Sequence, residues 1–293
     1  MSRLTDKDYW EDLYQAAPAT AVEAGPQPER KRLLKRLFGS RLMDWLSAYD
    51  DYLLWQGVLP RLLPQGAAGL SVVEIGSAPG DFLVRFAKTL GAEPYGVEYT
   101  SHGAERNRQV FAAAGYSGDN VIEADFFSDS FLVANAERFD IVVSRGFIEH
   151  FVDARAVVER HVALLKDGGL LLILIPNLRG IYAPWTQRFN PDQLPLHNLE
   201  LMKAENFRDA CVVPGLEVLR CGHFGTFSFW MFTAPHQARL ANRFIRMLHI
   251  VQRGLNLLLR LAFGRKGCES ALFSPNLIFV ARKLTSKSAD VRL

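Results

Sequence analysis

A chain of 293 residues, 49% apolar and 22% charged, can hold one large folded domain with additions, and its apolar content excludes a disordered chain. A net charge of +3 is too small to argue for nucleic acid as a partner. Three cysteines, Cys211, Cys221 and Cys268, lack ligand-like spacing, which fits a reducing compartment and proposes no metal.

The first ten residues, Met1 to Trp10, carry acids and no apolar segment, so they do not read as a signal peptide. No uncharged apolar run approaches the roughly 20 residues that cross a bilayer, and a cytoplasmic protein is expected. Residues 15–28, rich in Ala and Pro, read as a loop. From Glu29 to about Trp55 the apolar residues Leu33, Leu34, Leu37, Phe38, Leu42, Trp45 and Leu46 predict one or two helices. The basic cluster Arg30–Arg36 reads as a solvated helix end. Pro60, Pro64, Gly66 and Gly69 then break the chain.

The most informative stretch follows. Val72 and Val73 lead into Glu74-Ile75-Gly76-Ser77-Ala78-Pro79-Gly80, and Phe82, Leu83, Phe86, Ala87 and Leu90 continue at helical spacing. A buried strand that turns through glycines into a helix is a nucleotide-cofactor loop, because glycine admits a ligand where a Cβ would collide. The helix start adds free N–H groups and a positive dipole end. Glu74 before the first glycine, and Ala78 at the second glycine position of a dinucleotide fingerprint, point away from a pyrophosphate cradle and toward an amino-acid-bearing cofactor.

Three more strand-like runs end in polar residues. Tyr95-Gly96-Val97 ends in Glu98 and Tyr99, and a carboxylate there can accept both ribose hydroxyls. Asn120–Ala124 ends in Asp125 and Phe126, an acceptor for an adenine amino group beside a flat ring. Phe139–Val143 ends in Ser144-Arg145-Gly146, followed by Phe147-Ile148-Glu149-His150. Lys166-Asp167-Gly168-Gly169 then precedes the run Leu170–Ile175. This alternation predicts a parallel sheet with helices on both faces. Beyond it lie a loop over Asn177–Asn198, a helix over Leu199–Cys211, a strand over Leu216–Cys221 and a last strand over Asn276–Lys283.

In this order the pieces resemble the class I S-adenosylmethionine-dependent methyltransferases, over roughly residues 50–283. The stretch Glu74–Gly80 looks like the family's first motif, with Ala78 where glycine is frequent. Glu98 looks like its ribose acid, Asp125 like its adenine acid, and Phe139–Ser144 like its fourth-strand motif. The segments Phe147–Phe151 and Pro176-Asn177 look closest to small-molecule enzymes, including those that O-methylate quinone precursors. The resemblance implies an α/β, Rossmann-like seven-stranded sheet with helices on both faces and an antiparallel last strand. It implies S-adenosyl-L-methionine as cofactor, held by Glu74, Gly76, Ser77, Ala78, Gly80, Glu98, Tyr99, Asp125, Phe126 and Ser144. The implied organisation is a helical cap or lid over residues 1–60, a cofactor-binding core over 61–225, an insertion over 226–274, and a final strand and tail over 275–293.

The family joins its last two strands closely, whereas about 50 residues intervene here, far more than a hairpin needs. Within them Arg239, Arg243, Arg246, Arg253 and Arg260 share one helical face. Leu240, Phe244, Leu248, Val251, Leu255, Leu258 and Ala262 form an apolar face, and no acid occurs between Gln237 and Cys268. Such a helix packs on its own domain with a solvated Arg stripe, covers a lipophilic substrate, or lies on an anionic membrane through residues 237–263, at the inner face of a membrane.

Methyl transfer to a hydroxyl needs a base, and histidine titrates near neutrality. By position His150, His197 and, behind them, His223 are the candidates, with Glu149 as a base, an orienter of His150 or a metal ligand. Tyr9, Trp10, Tyr14, Tyr182 and Trp185 are candidate pocket walls. No His/carboxylate spacing specifies a metal. The reading is a methyltransferase for a small apolar or amphiphilic acceptor, at oxygen. N- or C-methylation, an NAD-linked oxidoreductase and a non-catalytic binding or membrane-associated protein stand as alternatives.

Overall fold

A computed structural model of the chain describes residues 2–16, 48–63, 69–235 and 237–285. The predicted loop and helices over residues 17–47, with their basic cluster, lie outside the described residues.

Seven strands form one sheet in the order β3-β2-β1-β4-β5-β7-β6. They are β1 Ser71–Ile75, β2 Glu93–Glu98, β3 Val121–Glu123, β4 Phe139–Arg145, β5 Leu165–Pro176, β6 Leu216–Phe224 and β7 Asn276–Lys283. The first five run parallel, and β7 is antiparallel to both β5 and β6. This is the seven-stranded, Rossmann-like methyltransferase sheet. The strand order reverses between β1 and β4, where open α/β sheets keep a crevice at the carboxyl ends.

Side-chain alternation splits the core into two layers. Val72, Ile141, Val143, Leu170 and Leu172 face the helices Asp81–Leu90 and Ser101–Ala114 and the helical segment that starts at Tyr49. Val73, Ile75, Val142, Leu171 and Ile173 face the helices Ala154–Ala163 and Ala204–Cys211. The central strands are therefore buried on both sides, which is why they read as unbroken apolar runs.

The segment Asn177–Asn198, expected as a loop, holds a helix over Tyr182–Phe189 and a short turn over Pro191–Leu196. Three further elements differ from the sequence reading. β5 begins at Leu165, because Lys166–Gly169 form an irregularity inside the strand: Phe139 pairs with Leu165, and the next partner, Ile141, pairs with Leu170. The helix expected from Leu199 starts only at Ala204, since Asn198 Oδ1 accepts the Leu201 N–H at 3.1 Å and holds a turn there.

The last difference is the insertion. A helix of 25 residues, Arg239–Phe263, fills it, but it turns a largely polar stripe inward instead of the expected apolar face. The inward residues are Ile245, Gln252, Asn256 and Arg260. Gln252 accepts the Phe229 N–H at 2.7 Å and donates to Asn256 Oδ1 at 2.8 Å. The Arg260 guanidinium lies 4.4 Å from the Tyr52 ring centroid. The expected apolar face points outward: Leu240 is 85% exposed, Leu258 61% and Val251 52%, joined by Met247, Ile250 and Leu261. Arg260 is thus a buried anchor, and Arg239, Arg243, Arg246 and Arg253 remain on the surface.

Candidate active site

A cavity of about 230 Å³ opens at the carboxyl ends of β1, β2 and β4. Its walls include Ile75, Gly76, Ala78, Val97, Glu98 and Tyr99 from the first two turns, and Ala124, Asp125 and Phe126 after β3. Arg145, Phe147, His150 and Phe151 close the far side.

The β1 turn is tight because Gly76 and Ser77 both donate to the Val97 carbonyl, at 2.9 and 3.1 Å. Gly76 has φ +69°, and a Cβ there would sit 2.8 Å from the Phe147 ring. The crowding is therefore against the protein's own aromatic wall. Gly80, at φ +103°, caps the Asp81–Leu90 helix. Ser77 turns away from the cavity: its hydroxyl accepts a short hydrogen bond from Asn107 Nδ2.

Glu74 and Ser144 lie just behind the wall, each almost fully buried, each with an oxygen (Glu74 Oε2, Ser144 Oγ) that no group of the described protein satisfies. Burial pushes the Glu74 carboxyl up to about 8, against the pull of Arg145 and a hydrogen bond from the Leu83 N–H. Glu98 is also raised by burial, opposed by hydrogen bonds from Thr100, Ala78 and Tyr99. Its Oε1 accepts the Tyr99 N–H, the Thr100 N–H and the Thr100 hydroxyl at 2.7–3.0 Å, so that oxygen is committed to its own loop. Asp125 is held by Arg3, whose Nη2 donates to both carboxylate oxygens at 2.6 and 2.7 Å. Phe126 is buried in an aromatic cluster with Phe127, Phe131, Phe147 and His161, and presents only part of its ring to the cavity.

Sequence reasoning missed Arg3. The segment Ser2–Thr5 runs antiparallel to Phe151: Leu4 N–H donates to the His150 carbonyl at 2.8 Å and Val152 N–H to the Ser2 carbonyl at 3.2 Å. The helix Lys7–Ala16 continues over the opening. Its Glu11 carboxylate accepts the Ser101 and His102 N–H groups at the start of the next helix, at 3.1 and 3.2 Å. Trp10 and Tyr14 line the cavity, and burial together with Glu98 and Glu74 pushes the Tyr14 phenol well above its usual range. Tyr9 is not a wall residue; it packs edge-on against Trp10. Tyr182 and Trp185 belong elsewhere, in an aromatic cluster where Trp185 stacks on Phe232 at 4.5 Å and Tyr182 donates to the Phe273 carbonyl at 2.6 Å. His223 sits on β6 opposite Leu277, away from the cavity.

Glu149 and His150 occupy the short turn Ile148–His150 after β4, and His197 follows the turn Pro191–Leu196. The two imidazoles meet with ring centroids 4.7 Å apart. Burial lowers His150 to about 4, with His197 adding to the shift, and burial lowers His197 as well. Both rings are neutral near pH 7. Burial pushes Glu149 up to about 8.

A family model described as Methyltransferase domain matches residues 48–220. No curated protein matches the chain. Among solved structures, a protein studied for the conversion of a disulfide bond into a thioacetal group during echinomycin biosynthesis is 16% identical, with 98% of this chain and 97% of that one covered and a TM-score of 0.51. The cyclase SpnF is 17% identical over 81% of each chain, with a TM-score of 0.48. A SAM dependent methyltransferase from Archaeoglobus fulgidus is 18% identical, with 87% of this chain and 100% of that one covered and a TM-score of 0.45. Likeness at this level of identity concerns the fold alone.

Proposed function

This chain belongs to the class I S-adenosylmethionine-dependent methyltransferases, and from that premise we propose that it methylates a small apolar or amphiphilic acceptor at a hydroxyl oxygen. The observation that carries this reading is the cavity wall. One end offers Gly76, Ala78, Glu98 and Asp125; the other is largely aromatic, with Phe147, Phe151 and Trp10 around His150, beside Arg145.

The residues present fit the cofactor. Glu74 Oε2 is a buried acceptor without a donor, suited to an ammonium group, and the backbone at Gly76 comes close to the cavity. Glu98 is the candidate for the ribose and Asp125 for the adenine amino group, with Arg3 as its present partner. When bound, S-adenosylmethionine supplies a methyl group on a positive sulfur. The protein's share is to hold oxygen, carbon and sulfur in line, to exclude water, and to take the hydroxyl proton. His150 Nε2 is the candidate proton acceptor on the cavity side, since its Nδ1 is engaged with the Leu196 carbonyl at 2.7 Å. His197 stands behind it.

The test is a thermal-shift titration with S-adenosylhomocysteine and, separately, NAD, followed by incubation of metabolite extracts with labelled cofactor. A rise of the midpoint with the first ligand only, and a labelled apolar hydroxy compound, are expected. Stabilisation by NAD alone, or label on nitrogen or carbon, overturns the reading.

The insertion helix favours a second reading, that Arg239–Phe263 lies on an anionic bilayer. An outward apolar strip of Leu240, Met247, Ile250, Val251, Leu258 and Leu261 is flanked by Arg239, Arg243, Arg246 and Arg253, with no acid nearby in the chain to oppose anionic head groups. Among the described residues no helix is long and apolar enough to cross a membrane, so the contact is interfacial. Sedimentation with phosphatidylglycerol vesicles, lost when Arg243, Arg246 and Arg253 become Glu, supports it. Failure of the wild-type protein to sediment at low salt, where the attraction is strongest, refutes it.

A further inference from the structure

The geometry points to a site for one divalent transition-metal ion, held by Glu149, His150 and His197 at the aromatic end of the cavity. One ligand atom from each of the three residues lies within 4.8 Å of the other two. Protein bonds to zinc are about 2.0–2.2 Å long, and at a tetrahedral angle two of them set their ligand atoms about 3.4 Å apart. The widest pair therefore closes by up to about 1.4 Å when the ion binds, within reach of small side-chain rotations.

Three features prepare them for that role. First, the tautomers are fixed. His150 Nδ1 is 2.7 Å from the Leu196 carbonyl, and His197 Nδ1 is 2.7 Å from the Gln193 carbonyl. A carbonyl only accepts, so both Nδ1 atoms carry the proton and both Nε2 atoms keep a lone pair. Histidine ligands of metals are oriented in this manner, the second nitrogen donating to a backbone carbonyl or a carboxylate. Second, Glu149 is 1% exposed, and its Oε2 has no hydrogen-bond partner within the described protein. A buried carboxyl oxygen without a donor is costly, and a cation relieves it. Its other oxygen lies 3.9 Å from His150 Nε2. Third, the two segments are tied together beside the cluster. Asn198 donates its N–H to the Glu149 carbonyl at 2.7 Å and its side-chain amide to the Phe151 carbonyl at 3.1 Å. The cluster therefore does not depend on loose side chains to assemble.

Two neutral imidazoles and one carboxylate suit Zn²⁺, Mn²⁺, Fe²⁺ or Co²⁺ better than Mg²⁺, which prefers an all-oxygen shell. Three protein ligands also leave coordination positions open, the arrangement of reactive rather than structural sites. His150 lines the cavity, so an open position faces the acceptor. This last step rests on the proposed transfer to oxygen: with an ion bound, His150 would serve as a ligand in place of the proton acceptor it is without one, and a hydroxyl on the ion would be acidified and release its proton to solvent. The metal site itself does not rest on that reading. No spacing in the sequence specifies it, although Glu149 alone reads as a candidate ligand, because the histidines come from segments 47 residues apart joined by no motif.

The experiment uses the full chain, stripped with a chelator and freed of it. Equilibrium dialysis against Zn²⁺, with metal analysis, measures binding without cofactor or acceptor. One equivalent per chain is expected. Glu149→Gln and His197→Ala are each expected to weaken binding at least tenfold, and the surface variant His102→Ala to leave it unchanged. Unfolding in the presence of chelator checks that Glu149→Gln, which keeps the side-chain shape, is folded like the wild type. Co²⁺ in place of Zn²⁺ provides a second readout, a visible ligand-field band shifted and stronger than that of hydrated Co²⁺, which is lost in His197→Ala. No tightly bound equivalent in the wild type, or an equivalent retained by both ligand variants, overturns the site. Stabilisation by S-adenosylhomocysteine is scored separately, so a failed metal site and a failed methyltransferase reading give different results.

Discussion

Replacing Glu74 by Gln isolates one buried carboxyl whose effect on stability has a definite sign. Burial raises its pKa from 4.5 to about 8 in the folded protein, while the unfolded chain titrates near the ordinary value. Between those limits the folded state keeps a proton that the unfolded state has released. Stability is fully present below the unfolded pKa, and it is lost as pH rises through the folded one, by about 1.4 kcal/mol per pH unit. From about pH 5 to about pH 7 the carboxyl alone removes on the order of 3 kcal/mol. Glutamine keeps the shape and does not titrate. Urea unfolding of both proteins at several pH values should show the variant gaining on the wild type by about 1.4 kcal/mol per unit. Other buried acids, such as Asp50 with a carboxyl pushed up to about 7, cancel in that difference. Parallel curves would refute the reasoning. A second measurement follows from the ammonium assigned to Glu74: wild-type affinity for the cofactor should rise between about pH 6 and pH 8 as the proton leaves, and that of the variant should not.

Glu98→Ala and Asp125→Ala should each weaken S-adenosylhomocysteine binding by about 1–3 kcal/mol in calorimetry, the loss of hydrogen bonds to a charged acceptor. Gly76→Val meets both a positive φ, worth about 1–2 kcal/mol, and the Phe147 ring, so its thermal midpoint should fall even without cofactor; an unchanged midpoint would count against the turn as described. Gln252→Leu should destabilise by about 1–3 kcal/mol, because the Phe229 N–H loses its acceptor. Ile250→Gln on the outward face should stay within about 0.5 kcal/mol of wild type in the same denaturation assay.

The sheet and the cofactor turn were legible because local signals and burial agree there. Val72 and Val73 are apolar whichever layer each faces, and Gly76 sits where the chain must adopt a left-handed conformation. The orientation of the insertion helix was not legible. Periodicity locates an apolar stripe, yet which face turns inward depends on partners that other segments bring: Phe229 for Gln252, and Tyr52 for Arg260. The strap over the cavity was equally silent. Ser2–Thr5 is too short for any period, and the pairing of Arg3 with Phe151 and Asp125 exists only in three dimensions. Ser77 shows the limit of motif reading, since a residue inside the cofactor turn serves Asn107 behind it.

The strand order also constrains how the protein is made. β6 touches the sheet only through β7, and residues 225–275 separate the two in the chain. At translation rates of about 5–20 residues per second, a nascent β6 waits several seconds for the strand that will seat it. During that interval the edge of β5 has no antiparallel partner, so the second half of the sheet closes in one late step, when β7 arrives to pair with both β5 and β6.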